Sequence, residues 1–125
     1  MKRIKDFGIG TDIEDIRRFR KLDLIKNSPF LNKIFTKNEL DYCFSKKKAA
    51  PHLAVKYAGK EAVVKAISSI RNQMINYKDI EILNNNAGVP IVKIKDNRFK
   101  NLQINISLSH CRGQAIAFAF TIKKN

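Results

Sequence analysis

Three small groups of residues have the types and spacing to do chemistry. Asp12 and Glu14 stand two apart in I-G-T-D-I-E, residues 9–14. If the chain is extended there, both side chains leave the same face. Two carboxylates that close repel each other unless a cation or a base lies between them. Mg²⁺ suits such a place: it takes oxygen ligands in near-octahedral geometry at about 2.0–2.1 Å, from few carboxylates plus substrate phosphate and water. The plainer alternative is the charged start of a helix, with acids at the positive end of the dipole.

Glu61 lies in K-E-A-V-V-K (60–65), flanked by Ala54, Ala58 and Ala62. A carboxylate on that small-residue side is hard to bury without a partner. Lys65 follows one turn later on the same face. The alternative is an ordinary surface ion pair, worth about 0.2–0.5 kcal/mol. The third group is S-L-S-H, Ser107 to His110, at a strand end. Alternation puts Ser107 and Ser109 on one face, Leu108 and His110 on the other. Hydroxyls and an imidazole there can hold phosphate, or simply form a polar hairpin end. There is no G-x-S-x-G elbow, which removes that hydrolase class.

Residues 3–13 alternate into an apolar stretch with two glycines and predict a first strand ending near Asp12. Ile16, Phe19, Leu22 and Ile25 recur every third residue and predict a short amphipathic helix over 14–25, broken by Asn27-Ser28-Pro29. A further helical turn is expected over 30–35. T-K-N-E (36–39) is a capping box that should start a short helix near Lys37. A long helix is expected from about Pro51 to Ile70, with proline in its first turn. Residues 77–83 and 91–95 alternate around N-N-N-A-G-V-P, and 104–109 and 114–122 alternate around a second turn, giving two hairpins. Phe118 and Phe120 read as core positions. The expectation is one α+β domain over 1–125, an antiparallel sheet packed with one long helix and short helices.

Composition sets bounds. A chain of 125 residues can bury one core. Its formal charge of +14 attracts anions: nucleic acid, phosphorylated small molecules, acidic proteins or acidic lipid. No apolar run approaches the roughly 20 residues of a membrane span, and M-K-R-I-K-D-F lacks a signal peptide's apolar stretch. A cytoplasmic protein is expected. Cys43 and Cys111, far apart and without C-x-x-C spacing, read as two reduced thiols.

Taken in order, G-I-G-T-D-I (8–13), F-T-K-N-E-L (35–40), K-E-A-V-V-K-A (60–66), N-N-A-G-V-P (85–90) and S-L-S-H (107–110) resemble the motif set of the holo-acyl-carrier-protein synthases, the short branch of the 4′-phosphopantetheinyl transferases, across nearly the whole chain. The resemblance implies the 4′-phosphopantetheinyl transferase fold and an enzyme that moves 4′-phosphopantetheine from coenzyme A to a serine of an apo acyl carrier protein. The reaction would be Mg²⁺-dependent, release adenosine 3′,5′-bisphosphate and support fatty acid biosynthesis. It implies Asp12 and Glu61 as metal ligands, with Glu14 a candidate third. Glu61 and Lys65 would be catalytic, and Lys65, His110, Ser109 and Lys56 would bind coenzyme A. Arg17 and Arg18 would meet the acidic carrier, helped by Arg20 and Lys21. The short branch forms homotrimers, so coenzyme A is expected between Asp12 and Glu61 of adjacent subunits. The chain departs from the pattern where I-S-S-I-R-N (67–72) replaces a glycine-rich segment; Ser68, Ser69 or Arg71 would take up contacts there.

The rival reading is a basic nucleic-acid-binding α+β module, with Tyr57, Phe99 and Phe118 as stacking aromatics. No RNP-like or helix-turn-helix signature supports it, and neither nucleic acid nor a membrane span is expected as a partner.

Overall fold

The computed structural model describes residues 6–124. Strand β1 (Phe7–Asp15) opens the fold and is followed by a 3₁₀ turn at Ile16–Phe19. Helices α1 (Ser28–Ile34), α2 (Lys37–Phe44) and α3 (Ala49–Ser68) fill the middle, and strands β2 (Ile80–Asn84), β3 (Pro90–Ile94), β4 (Leu102–His110) and β5 (Gln114–Lys123) complete it. All pairings are antiparallel: β1-β5-β4 form one sheet and β2-β3 a separate two-stranded ribbon. The α+β class and both hairpins are as expected. Residues 3–5 of the expected first strand lie outside the described residues.

The 20-residue α3 is the spine, with its buried stripe of Ala54, Ala58, Gly59, Ala62 and Ala66. Gly8 and Gly10 on β1 lie under it. A methyl at Gly8 would collide with the carbonyl oxygen of Ala66, and one at Gly10 with that of Ala62. Only glycine allows this backbone-to-backbone approach, and it sets α3 directly on β1 and β5. Beneath the helix, β5 presents Ala115, Ala117 and Ala119, all at most 1% exposed.

That close packing overturns one expectation. Phe118 and Phe120 are not core residues: they are 46% and 37% exposed, on the far face of the sheet with Ile9, Ile13 and Ile116. The alternation of β5 was legible, but small side chains are the ones that fit against a helix held at glycine distance. The expected helix over 14–25 also fails. β1 continues to Asp15, which caps the 3₁₀ turn by accepting from the Arg17 N–H. Ile16 and Phe19 are buried, whereas Ile25 is 87% exposed, so the three-residue spacing did not mark one helix face.

The capping box at α2 is complete: Thr36 accepts from the Glu39 N–H, and Glu39 accepts from the Thr36 N–H. Glu39 is itself fully buried and pairs with Lys60 of α3 at 2.7 Å, both side chains without solvent exposure. Lys60 also donates to the carbonyls of Tyr77 and Ile80, and Glu39 accepts from the Ile82 N–H. This polar knot ties α2, α3 and β2 together. Both thiols are free: Cys43 is buried, which pushes its pKa up to about 12, and Cys111 is exposed.

Candidate active site

Even-numbered residues of β1 point toward α3. Beyond the two glycines the next inward positions are Asp12 and Glu14, so the strand that seats the helix also aims both acids at it. Glu61 and Lys65 come from the facing α3. One chain brings Asp12, Glu14, Glu61 and Lys65 to one region, so Asp12 and Glu61 meet without a second subunit. The cause is the glycine contact, which lays the middle of α3 along β1.

Each acid has a distinct setting. Asp12 has its Oδ1 3.6 Å from Lys65 Nζ, and its Oδ2 is buried with no hydrogen-bond partner. Glu14 is 8% exposed; burial foremost, then a side-chain hydrogen bond shared with Asp12 and that carboxylate's charge, pushes its pKa up to about 7 against the pull of Arg18. The Arg18 Nη1 lies 2.7 Å from Glu14 Oε1. Glu61 accepts a 2.6 Å hydrogen bond at Oε1 from the Tyr77 hydroxyl. Its negative charge adds to the upward push on Glu14. Lys65 does not pair with Glu61; it donates to the Thr11 carbonyl at 2.9 Å and leans on Asp12.

An orphaned carboxylate oxygen beside a second, reluctantly ionised acid is a fit for a hard cation. The donors are all oxygen, as Mg²⁺ requires. Among the described residues, no three acids, histidines or cysteines form a complete metal cage. Such a cage is not expected of Mg²⁺, which keeps waters and takes substrate phosphates.

The remaining residues lie elsewhere. His110 is exposed and sits at the junction of two cavities. One, of about 830 Å³, is lined in part by Ile16, Phe19, Arg20, Lys47, Lys48 and Arg112. The other, of about 240 Å³, is lined in part by Tyr42, His52, Lys56, Asn84 and Pro90. Lys56 is 3% exposed and its ammonium donates to the Ile82 carbonyl at 2.6 Å, so burial lowers its pKa. Ser109 faces outward on β4, away from the helix. Arg17 is fork-bonded to Asp15 and 74% exposed; Arg18 is 65% exposed despite its bond to Glu14. Pro51, on both cavity walls, and Glu61 are ten residues apart on α3, roughly 15 Å along its axis. Arg71, named for the departure at 67–72, donates to the Arg98 carbonyl and Asn101.

Two features escaped sequence reading. Tyr77 looked like a strand residue, yet it sits in a 3₁₀ turn at Tyr77–Asp79 that delivers its hydroxyl to Glu61. Lys60 looked like a neighbour of the acid and is instead buried machinery of the fold. Of the aromatics proposed for stacking nucleic acid, Phe99 is fully buried.

The fold is that of the holo-acyl-carrier-protein synthases of known structure. The Bacillus anthracis synthase in complex with CoA (3′,5′-ADP) superposes with a TM-score of 0.75 at 27% identity, covering 94% of this chain and 96% of that one. The Helicobacter pylori synthase in complex with coenzyme A gives 0.74 at 28% identity, covering 89% and 96%. In sequence, the holo-[acyl-carrier-protein] synthase of Protochlamydia amoebophila is 44% identical over 115 residues, 90% of this chain and 94% of that relative. Residues 8–119 match the 4′-phosphopantetheinyl transferase superfamily, and the chain belongs to that family.

Proposed function

We propose that this chain, acting as one domain over residues 1–125, transfers 4′-phosphopantetheine from coenzyme A to a serine of an acidic apo acyl carrier protein. The observation that carries the reading is the orphaned Oδ2 of Asp12, buried in a region it shares with Glu14, Glu61 and Lys65. Asp12 and Glu61 would hold Mg²⁺, which when bound neutralises pyrophosphate charge and orients the donor. The serine oxygen attacks the β-phosphorus, the phosphoanhydride bond breaks, and adenosine 3′,5′-bisphosphate leaves. Glu61, directly or through a water, is the acceptor for the serine proton. Lys65, which already bridges to Asp12 and the Thr11 carbonyl, is the cation for charge on the leaving phosphate. Glu14 is less suited to be a third ligand, because Arg18 already holds it.

The basic residues Arg20, Lys47, Lys48 and Arg112 around the larger cavity suit the nucleotide end of coenzyme A, with His110 between the cavities. The ammonium of Lys56 is committed to a backbone carbonyl, so its part in binding is through the wall it forms. Exposed Arg17 and Arg18 offer charge to an acidic carrier. A homotrimer is supported by the apolar outer sheet face, where Phe7 stacks on Phe120 at 6.0 Å beside Ile9, Ile13, Ile116 and Phe118. The separation of His110 from Glu61 within one chain suits active sites shaped between protomers. We place the protein in the cytoplasm, in fatty acid biosynthesis; among the described residues no helix is long and apolar enough to cross a membrane.

The test incubates the protein with coenzyme A, Mg²⁺ and an apo acyl carrier protein and follows carrier mass. A phosphopantetheine mass gain that needs Mg²⁺ is expected. An unmodified carrier, with coenzyme A intact, would refute the reading.

A further inference from the structure

Lys60 and Glu61, adjacent on α3, grip opposite ends of one residue. Lys60 Nζ donates to the Tyr77 backbone carbonyl at 2.8 Å, and the Tyr77 hydroxyl donates to Glu61 Oε1 at 2.6 Å. Lys60 cannot drift, because Glu39 holds it at 2.7 Å in a fully buried pair. The Tyr77 ring is confined too: Tyr57 packs 5.9 Å from it at 41°, with its own hydroxyl also drawn to Glu61, and Phe19 lies 5.6 Å from Tyr57. A bond of 2.6 Å from a hydroxyl to a carboxylate falls in the short, charge-assisted class, about twice as strong as a neutral one. A glutamate on a helix otherwise samples several rotamers, and this bond selects one.

We propose that Tyr77 is a positioning residue for phosphopantetheine transfer. Its hydroxyl holds Oε1 of Glu61 and so sets the orientation of the carboxylate that would bind the divalent cation. The proposal rests on the transferase reading above. Outer-shell partners of metal-binding carboxylates typically contribute roughly 10–100-fold in metal affinity or activity.

The experiment titrates Mn²⁺, followed by electron paramagnetic resonance in the presence of coenzyme A, into the wild-type protein and Tyr77→Phe. Transfer kinetics and thermal melts are measured on the same samples. Tyr77→Phe keeps the ring and its stacking and removes only the donor. Expected are an unchanged melting temperature, Mn²⁺ bound roughly 10-fold or more weakly, a lower kcat and an unaltered KM for the carrier. Wild-type Mn²⁺ affinity and kcat in Tyr77→Phe would overturn the proposal. So would a loss of affinity that appears only with loss of the folded state, since the hydroxyl would then be structural. If the wild-type protein neither binds Mn²⁺ nor transfers the group, the transferase reading itself fails and takes this inference with it.

Discussion

The ammonium of Lys65 stands 3.6 Å from Asp12 Oδ1, across the α3–β1 contact, and leaves Oδ2 of the same carboxylate buried without a partner. One oxygen is thus answered by the protein and the other is not.

If Asp12 and Glu61 hold Mg²⁺ as proposed, replacing either acid removes the cation's hold. Asp12→Ala and Glu61→Ala should each lower transfer by roughly two orders of magnitude or more, a scale common for lost electrostatic stabilisation. Both should stay folded, and Asp12→Ala is not expected to lower the melting temperature, because it relieves a buried unpaired oxygen. Carrier mass spectrometry and thermal melts check this; near-normal turnover in either variant contradicts the metal assignment.

Glu14 would give the proposed cation site a pH signature. Its pKa rises from 4.5 to about 7 in the fold, through burial first and Asp12 second. The folded state therefore holds more proton than the unfolded state across that window, and stability declines as pH rises through it. A bound divalent ion opposes the same crowding of negative charge. The rise in melting temperature produced by Mg²⁺ should be larger at pH 8 than at pH 5, and an equal or reversed response would contradict a site beside this acid.

Gly10→Ala should destabilise by about 3 kcal/mol or more, at the upper end for overpacking, because the new methyl meets the Ala62 backbone oxygen rather than a side chain that can turn away. Denaturant unfolding measures the loss. The same substitution at Gly113, where nothing lies near the added methyl, serves as the mild control.

Lys60→Met should lower stability by about 3–5 kcal/mol, since it strands the buried Glu39 charge. The double variant Lys60→Met/Glu39→Leu should recover part of that loss, and a double variant no better than Lys60→Met alone would contradict a charge-desolvation origin. Chemical denaturation of the three proteins settles the sign.

If the exposed sheet face forms the proposed trimer contact, Phe118→Asp should reduce self-association while leaving the monomer folded, because that side chain is not part of the core. Light scattering after gel filtration reads the mass, and an unchanged assembly would move the interface elsewhere.

Local signals proved legible where the chemistry was local. The Thr36–Glu39 box, the turn at residues 85–89 with Gly88 at φ 81°, and the alternation of β4 and β5 could all be read directly. What escaped reading depended on distance between elements. Alternation gives two faces to β5 but does not say which is inside; only the glycine contact with α3 decides for the alanines. The pairing of Lys60 with Glu39 joins positions 21 apart, and the Tyr77–Glu61 bond joins positions 16 apart. No periodicity marks either. The acids themselves were visible as residue types, but that one chain gathers them was set by tertiary packing.

The missing side chains of Gly8 and Gly10 act as a spacer of zero thickness. Because the carbonyls of Ala66 and Ala62 rest against them, the approach of α3 to β1, and with it the spacing of Asp12 and Glu61, is set mainly by main-chain atoms. One added carbon at either glycine would widen that jaw.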